Sequence, residues 1–317
     1  MRGMIVAAGL GTRMRPLSAL APKPALPVRG LPLVAYGLEL LASVGVREVV
    51  INLHAQPRRL REAAERFAPP GVQLHFSEET RLLHTGGALR RVADFLRESD
   101  PCVVIGGDMI VDLDLGAVVA RHRAHGRSAT LVLRDDPRAS RFGTIGIDAR
   151  GRVRRIGRRF DLGAERQAGV YTWVNVFAAR ALDTLPPREV FNHLDDWLAP
   201  QLASGAGDVV GESLPPDACR WDPVGTPTEY LEASFRPGPL SYLDPDARAR
   251  ALGWTLEAGR IVGPGAQIGA DVELERVVVW PGERVPAGRR LRHGVFAGGC
   301  FHPCAHPGHE PQPETWV

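Results

Sequence analysis

Apolar runs and segments of helical period alternate along the first part of the chain. Short runs rich in Val, Ile and Leu predict strands, and the segments between them repeat apolar residues at helical spacing. The predicted order is strand 3–8, helix 33–44, strand 48–53, helix 58–67, strand 72–76, helix 86–96, strand 102–105, helix 115–125 and strand 129–133. This alternation is typical of a parallel sheet with helices on both faces. We therefore predict a doubly wound α/β fold.

The pattern then changes to that of an antiparallel insertion. Two short apolar runs within 143–156 flank Asp148-Ala-Arg-Gly151, a turn sequence that suits a hairpin. A strand at 170–177, a helix at 191–203 and a helix after Pro227 complete a first domain that we place at 1–235. The sheet is therefore expected to be mixed.

The last part of the chain has a third pattern. Pro, Gly and Asp interrupt every period after residue 235, and we place a linker at 236–257. Small and apolar residues then recur at about six-residue spacing, which predicts a short hexapeptide β-helix unit at 258–299, left-handed in type. Such a short unit exposes an end, so a homo-oligomer through it is one interpretation. Residues 300–317, with several Pro and His, are predicted to be a flexible tail.

Composition narrows the function classes. A net charge of +3 over 317 residues does not predict binding to nucleic acid or to a membrane surface. No apolar stretch reaches the length of about 18 residues that spans a bilayer, and Met1 leads directly into a strand-like run, so a cytoplasmic location is expected. Two of the four cysteines, Cys102 and Cys219, are isolated, which favours reduced thiols.

A glycine-rich segment follows the first predicted strand. Gly9 and Gly11 let the backbone approach a ligand and direct N–H groups at it, as in loops that hold phosphate oxygens. Arg13 adds a guanidinium, and Lys23 stands between two prolines that stiffen its backbone. A dinucleotide fingerprint would need a glycine at Met14, and a Walker-type loop would need Gly-Lys-Ser/Thr. The alternative is a strand-to-helix turn with surface arginines.

Asp108 follows the buried strand predicted at 102–105. It therefore lies at the carboxyl end of a central strand, where open α/β sheets bind ligands, and its hard oxygens suit Mg²⁺. The alternative is a carboxylate that caps the turn before Met109. Asp112 and Asp114 are interpreted as loop and helix-start residues.

Four motifs in this order resemble those of the nucleotide-sugar pyrophosphorylases, the sugar-1-phosphate nucleotidyltransferases. They are Gly9-Leu-Gly-Thr-Arg-Met-Arg-Pro-Leu17 with Pro22-Lys-Pro24, Leu83-His-Thr-Gly-Gly-Ala-Leu89, Gly106-Gly-Asp-Met-Ile-Val-Asp-Leu-Asp-Leu115 and Trp221-Asp-Pro-Val-Gly-Thr-Pro-Thr-Glu-Tyr230. The resemblance implies a Rossmann-like doubly wound mixed sheet with a short β-helix unit. It also implies transfer of a nucleotidyl group from a nucleoside triphosphate to a sugar 1-phosphate with Mg²⁺ as cofactor.

The resemblance also implies roles for single residues. Arg13 and Lys23 would be catalytic, and Asp108 would bind the metal. The residues that would contact the nucleotide are Ala8, Gly9, Gly11, Thr12, Thr85, Gly86 and Gly87. Those that would contact the sugar phosphate are Gly143, Arg159 and Asn175.

The chain departs from the family pattern in its last motif. The family's second metal aspartate usually precedes Val-Gly-Thr-Pro, and Pro223 stands there instead. Asp222, one residue earlier, is predicted to replace it, which requires a local bulge because a shift of one residue turns a strand side chain to the other face. Without that bulge, the site has one protein carboxylate or impaired catalysis.

Two bulky residues stand where relatives commonly have glycine. Trp173 should narrow the sugar pocket or change its occupant, and His84 precedes Thr85 as in some uridylyltransferases that act on muramic acid derivatives. Arg159 either takes the phosphate contact of the family's lysine or is a solvated charge.

Several functions remain open at this stage. The hexapeptide unit favours a mannose-1-phosphate guanylyltransferase, and the Thr-Gly-Gly loop suits a uridylyltransferase of the N-acetylmuramate-1-phosphate type. A non-catalytic nucleotide-binding relative and an interaction protein are further alternatives. Cys300, Cys304, His306 and His309 could form a zinc site, although their spacing fits no common zinc frame and a loose tail is the preferred interpretation.

Overall fold

A large mixed sheet organises the first part of the molecule. The computed structural model describes residues 1–236 and 238–305. The strands of this part are β1 (Arg2–Val6), β2 (Pro27–Val28), β3 (Leu31–Pro32), β4 (Glu48–Leu53), β5 (Gln73–Glu78), β6 (Cys102–Gly106), β7 (Met109–Leu113), β8 (Ala129–Arg134), β9 (Thr144–Ile147), β10 (Val153–Ile156), β11 (Phe160–Asp161), β12 (Gln167–Phe177), β13 (Val209–Leu214) and β14 (Cys219–Pro223). The main sheet has the order β11-β10-β9-β12-β6-β1-β4-β5, and β8 and β13 continue from the other edge of β12.

Helices cover both faces of the sheet. They are α1 (Leu17–Leu20), α2 (Leu33–Ser43), α3 (Pro57–Phe67), α4 (His84–Arg91), α5 (Ala93–Arg97), α6 (Leu115–His125), α7 (Ala199–Ala203), α8 (Pro227–Phe235) and α9 (Pro245–Ala251). Strand β1 pairs in parallel with β4 and β6, whereas β12 is antiparallel to β6. The predicted mixed α/β sheet is therefore confirmed, and the predicted hairpin is the antiparallel pair β9–β10.

Two apolar layers, one on each face of the sheet, form the core. One contains Leu131, Phe177 and Trp197, and the other contains Leu38, Ile51 and Val176. Among the described residues, no helix combines the length and the apolar character needed to cross a bilayer.

The C-terminal part is built mainly from parallel ladders of short strands. They are β15 (Thr255–Leu256), β16 (Arg260–Val262), β17 (Gln267–Ile268), β18 (Glu273–Val279), β19 (Arg284–Val285), β20 (Arg290–Ala297) and β21 (Cys300–Pro303). Successive segments stack as the parallel ladders β16-β18-β20 and β17-β19. The antiparallel strands β15 and β21 pair with the two edges of the first ladder. Both edges of that ladder are therefore paired within the chain, and the homo-oligomer stays a prediction.

A third apolar cluster joins the two parts. Tyr230 and Leu231 of α8 pack with Trp254, Val278 and Val295 of the C-terminal part. The Trp280 indole N–H also donates to the Tyr230 hydroxyl at 3.0 Å. The C-terminal part is thus docked on the helix that follows the last motif of the sequence.

The structure corrects two predicted boundaries. The predicted linker contains helix α9, which Asp244 caps through the N–H groups of Asp246 and Ala247. The predicted tail begins with strand β21, because residues 300–303 pair with β20. His306 and His309 of the considered zinc site lie outside the described residues. Asp114 caps helix α6, as predicted.

Candidate active site

Two neighbouring pockets open at the end of the sheet where β1 and β6 terminate. The first, here the glycine-loop pocket, has about 850 Å³ including its open mouth. It is lined by Val6, Ala7, Ala8, Gly9, Lys23, Pro24, Asn52, Glu79, Leu82, His84, Thr85, Gly106, Asp108 and Trp173. The second, here the aromatic pocket, has about 750 Å³ and is lined by Phe142, Gly143, Thr144, Ile145, Ile156, Gly157, Arg158, Arg159, Tyr171, Trp173, Asn192, His193, Leu194, Asp195 and Trp221.

The loop after β1 supplies backbone to the first pocket. Ala8 and Gly9 line it as predicted, and no atom lies within 4 Å of a Cβ placed on Gly9. Gly11 has φ +60 and precedes the 3-10 turn Thr12–Met14, so its left-handed conformation begins the turn. Gly11 and Thr12 do not line the pocket. A loop open at Gly9 can bring main-chain N–H groups close to an anion.

Lys23 and Asp108 form an ion pair at the mouth of this pocket. The distance from Nζ to Oδ2 is 2.7 Å, and the Asp108 side chain is 37% exposed. Lys23 begins the 3-10 turn Lys23–Ala25, whose second residue is Pro24. Asp108 lies between β6 and β7, where its carbonyl accepts the N–H of Val224 at 3.0 Å. A fixed ammonium beside an accessible carboxylate can bind phosphate oxygens and a cation together.

Asp222 does not line either pocket in this arrangement, and its binding of the metal stays a prediction. Strand β14 pairs with β7 in unbroken register, with Asp222 opposite Ile110 and no bulge. Trp221 therefore faces the aromatic pocket while Asp222 faces away from it. There the buried Asp222 carboxylate pairs with Arg220 at 2.8 Å and with Arg236.

Arg13 lies outside the walls of both pockets. Its guanidinium is against Gly225, since a Cβ on Gly225 would be 3.5 Å from Arg13 Nη2. The same Cβ would be 3.0 Å from Glu229 Oε2, which accepts the Gly225 N–H at 2.7 Å. The first motif of the sequence thus contacts the fourth.

Thr85, Gly86 and Gly87, which were predicted to contact the nucleotide, fall into two groups. Thr85 lines the glycine-loop pocket. Gly86 and Gly87 instead donate their N–H groups to the Phe191 carbonyl, at 2.9 and 3.2 Å. Their missing side chains permit this packing, because a Cβ on Gly86 would lie 2.2 Å from the Phe191 ring and one on Gly87 would lie 2.1 Å from the Glu189 carbonyl. These two glycines therefore have a packing role, and their contact with the nucleotide stays a prediction.

The predicted sugar-phosphate residues also divide. Gly143 and Arg159 line the aromatic pocket, and Arg159 lies 3.8 Å from Asp195. Asn175 does not line it. It is 1% exposed and lies behind Tyr171, whose hydroxyl donates to Asn175 Oδ1 at 2.6 Å. Asn175 therefore contacts a wall residue, and its own contact with the sugar phosphate stays a prediction.

A buried hydrogen-bond chain connects the two pockets. The Thr85 hydroxyl lies 2.7 Å from His193 Nδ1, and His193 Nε2 lies 3.0 Å from the Tyr171 oxygen. Because Tyr171 gives its only hydroxyl proton to Asn175, we assign the ring proton of His193 to Nε2, which donates to Tyr171. Burial lowers the pKa of His193 to about 3, so the ring is neutral at neutral pH.

The two bulky residues that stand where relatives commonly have glycine both have a left-handed backbone conformation. His84 has φ +57 and Trp173 has φ +60, and each lines the glycine-loop pocket. Residues with a Cβ are strained in this region by about 1–2 kcal/mol. Trp173 occupies the point where the pairing of β12 with β8 shifts register. The structure keeps at both positions a conformation that glycine would adopt without strain.

Sequence reasoning missed a second buried network. Asn52 and Glu79 are 2% and 5% exposed. Asn52 Oδ1 accepts the Ala7 N–H at 2.6 Å, and its amide donates to Glu79 at 2.7 Å. Glu79 also accepts the Leu83 N–H at 3.1 Å, which ties the loop after β1 to helix α4. The sequence signal for this network was a polar residue near the end of the predicted strand 48–53 and another just after the predicted strand 72–76.

The chain resembles known proteins over most of its length. Residues 2–236 match the family described as nucleotidyl transferase. A mannose-1-phosphate guanylyltransferase of Mycobacterium tuberculosis is 32% identical over 90% of this chain and 81% of its own length. The catalytic subunit beta of the same enzyme from Dictyostelium discoideum is 28% identical over 59% of this chain and 52% of its own.

A solved structure has a similar fold. The crystal structure of HddC from Yersinia pseudotuberculosis, complexed with GMP-PN, superposes with a TM-score of 0.60. It covers 74% of this chain and 97% of the other at 22% identity, which supports the fold alone.

Proposed function

The chain belongs to the nucleotidyl transferase family, and from that premise we propose that it forms GDP-mannose and pyrophosphate from GTP and mannose 1-phosphate. The observation that carries the proposal is the Lys23–Asp108 pair at the mouth of the glycine-loop pocket, beside the aromatic pocket. The similarity to a mannose-1-phosphate guanylyltransferase over 90% of the chain supports the choice of base and sugar.

The reaction is a single displacement at phosphorus. A phosphate oxygen of the sugar 1-phosphate attacks the α-phosphorus of GTP, the bond from that phosphorus to the bridging oxygen breaks, and pyrophosphate leaves. Ala8, Gly9 and Thr85 bind the nucleotide, and Lys23 is a fixed charge beside the reacting phosphate. Arg13, on the turn after the loop, stabilises the leaving pyrophosphate, because a guanidinium can bind two of its oxygens.

Asp108 is the residue that would hold Mg²⁺. Within residues 1–236 and 238–305, no cluster of three His, Cys, Asp or Glu side chains could hold a metal by itself. One carboxylate with substrate phosphate oxygens is nevertheless a common Mg²⁺ ligand set, so Asp108 fits the ion. When bound, the ion neutralises charge on the phosphates. Gly143 and Arg159 would hold the sugar phosphate at the aromatic pocket.

The C-terminal part has the form of a short β-helix. Its stacked parallel ladders support this interpretation, and its packing on α8 gives it a role in holding the Gly225 loop that contacts Arg13. We place the transferase domain at 1–235, followed by α9 as part of the connection.

A second function is favoured by one observation. Asp222 turns away from Asp108, and Pro223 supplies no carboxylate. A relative that binds a nucleotide or a nucleotide sugar without transferring it would keep the glycine loop and lose the second metal ligand.

Pyrophosphate release separates the two functions. The purified protein with Mg²⁺ is tested with each common nucleoside triphosphate against mannose, glucose, N-acetylglucosamine and N-acetylmuramate 1-phosphates. Release with GTP and mannose 1-phosphate supports the transferase. Release with a different pair contradicts the assigned substrates, and no release with any pair, while GTP still raises the melting temperature, supports the binder.

A further inference from the structure

Glu229 links helix α8 to the loop that precedes it. Thr226 is the N-cap of this helix, and its side-chain oxygen accepts the Glu229 N–H at 3.2 Å. The Glu229 side chain folds back along the chain, so that its Oε2 accepts the Gly225 N–H at 2.7 Å. This reciprocal arrangement is a form of capping box, which stabilises the first turn of a helix. It also holds the loop between β14 and α8 from the helix side.

Arg13 lies on the same side of this loop as Glu229. The point where a Cβ on Gly225 would stand is 3.0 Å from Glu229 Oε2 and 3.5 Å from Arg13 Nη2. A glycine at this position therefore lets a carboxylate and a guanidinium approach the same stretch of backbone. Opposite charges attract each other at such short range, so the carboxylate favours the arginine rotamers that keep the guanidinium beside Gly225.

Asp108 is tied to the other end of the same loop. Its carbonyl accepts the N–H of Val224 at 3.0 Å, and Val224 directly precedes Gly225. The residue proposed to hold the metal and the residue proposed to bind the leaving group are thus connected through two adjacent peptide groups. The hydrogen bond from Gly225 to Glu229 therefore sets where Arg13 lies relative to Asp108.

The helix that carries Glu229 is anchored on its other side. Thr228 and Tyr230, the residues on either side of Glu229, are 5% and 0% exposed. The Thr228 hydroxyl donates to the Ala305 carbonyl at 3.1 Å, and the Tyr230 hydroxyl donates to the Pro27 carbonyl at 2.8 Å. Glu229 itself is only partly buried. Its carboxylate therefore reaches the loop from a helix that cannot easily shift.

We propose that Glu229 is a positioning residue for Arg13, which it holds beside the leaving pyrophosphate without contacting a substrate itself. The proposal rests on the proposed function for the role of Arg13, and it adds the residue that orients it. Arg13 is exposed, and an exposed arginine side chain can adopt many rotamers. A guanidinium that is oriented before the nucleotide binds loses less freedom on binding. The gain should appear only with ligands that carry the oxygens that Arg13 binds.

A comparison of GTP with GMP isolates those oxygens without turnover. Each nucleotide is titrated into the full-length protein with Mg²⁺ and followed by calorimetry. The dissociation constant of GMP divided by that of GTP, here the phosphate ratio, measures what the β- and γ-phosphates contribute. Arg13→Ala should lower the phosphate ratio by about tenfold or more, the loss expected for charge-assisted hydrogen bonds. Glu229→Gln keeps the size of the side chain and an acceptor for the Gly225 N–H, and it should lower the ratio by about threefold or more while GMP affinity stays the same.

The double variant tests whether Glu229 acts through Arg13. If it does, Glu229→Gln should change the phosphate ratio by less than about twofold in a protein that already carries Arg13→Ala. Additive losses would overturn the proposal, because they would show that Glu229 acts through another group. Tighter GTP binding in Glu229→Gln would also overturn it, because the carboxylate would then only weaken the positive charge of Arg13.

Glu232→Gln is the control on the same helix. Glu232 pairs with Arg276 at 2.8 Å, and both side chains are partly exposed, so its substitution should leave the phosphate ratio within about twofold of the parent value. Glu229→Asp keeps the charge but shortens the side chain, and it serves if Glu229→Gln does not fold; it should lower the ratio by a smaller factor. A parent value of the ratio in every folded Glu229 variant would contradict the positioning role.

The outcomes are distinct from those for the proposed function. Pyrophosphate release in the substrate panel, with an unchanged phosphate ratio in Glu229→Gln, overturns the positioning role alone. A lowered ratio in that variant, without release by the parent protein, rejects the transferase and keeps the positioning role in a nucleotide-binding protein. If the parent protein binds GMP as tightly as GTP, or binds neither, the positioning role is overturned whatever the substrate panel shows.

Discussion

The two pockets lie side by side and use opposite chemistry. The glycine-loop pocket has open backbone at Gly9 and the ion pair of Lys23 with Asp108 at its mouth. The aromatic pocket has rings, and the polar atoms of two of them, Tyr171 and His193, are paired with protein groups. Phosphate groups are the same in every substrate of this reaction class, so main-chain N–H groups and point charges suffice for them. The sugar differs between enzymes, so its wall is built from side chains that can differ.

The difference also predicts how substitutions in each pocket affect rate, binding and stability. A point charge acts at a distance on developing charge, and its removal mainly affects the rate. A wall of packed rings acts by contact, and its alteration mainly changes binding and stability. Changes in the two pockets should therefore be separable by measuring turnover, binding and unfolding on the same variants.

Asp108→Asn should have the largest effect. The substitution keeps the size of the side chain and removes the charge that pairs with Lys23 and that we propose holds Mg²⁺. We expect kcat to fall by about 10³-fold, or about 4 kcal/mol, with little change in the urea midpoint. Pyrophosphate release measured across Mg²⁺ concentrations checks this.

Asp112→Asn is the matched control for that variant. Asp112 lies four residues further along the same motif and accepts the Ser241 N–H at 3.0 Å, away from both pockets. Its substitution should leave kcat within about threefold of the parent protein. Equal losses in the two variants would contradict the role of Asp108.

His193 should make the aromatic pocket sensitive to acid. Burial lowers its pKa to about 3, so below pH 6.5 the unfolded chain binds a proton that the folded chain excludes. The His193 contribution is therefore lost as the pH falls from about 6.5 toward 3, by about 1.4 kcal/mol per pH unit, or about 2 kcal/mol at pH 5, and buried His122, with a pKa of about 4, adds a loss of the same sign. Urea unfolding at several pH values measures the slope.

The control separates His193 from other titrating groups. His193→Gln removes the proton uptake, so its stability should fall less steeply between about pH 6.5 and 5 than that of the parent. An unchanged slope in His193→Gln would contradict the assignment of a neutral buried ring.

The glycine-loop pocket was largely predictable from sequence, because its parts are short and contiguous. A strand that runs into Gly9 and a lysine fixed between prolines can be recognised locally, and the structure brings Lys23 to Asp108 across 85 residues of chain. The role of Gly86 and Gly87 was not predictable in this way. Whether a glycine faces a ligand or a neighbouring carbonyl depends on residues 189–191, which are distant in sequence.

The aromatic pocket was only partly predictable. Its rings come from the segment before β9, from β12, from β14 and from the segment after Phe191, and no local pattern shows that Tyr171, His193 and Trp221 meet. Trp173 was recognised as unusual, but its φ of +60 and its place between two pockets follow from the register shift against β8. The resemblance assigned Asn175 to the sugar phosphate, and alternation along a strand cannot tell a pocket wall from the layer behind it.

Asp222→Asn should have the smallest effect, and it tests the difference between the carboxylates of Asp108 and Asp222. Asp108 and Asp222 flank the same β7–β14 ladder, yet one carboxylate opens on a pocket and the other is buried between Arg220 and Arg236. Removing the buried charge leaves two arginines without their partner, and because both are partly exposed we expect a loss of about 1 kcal/mol in the free energy of unfolding. Because Asp222 does not face the metal position, the Mg²⁺ concentration for half-maximal activity should stay the same. A rise of tenfold or more in that concentration, with unchanged stability, would show that Asp222 reaches the metal during the reaction.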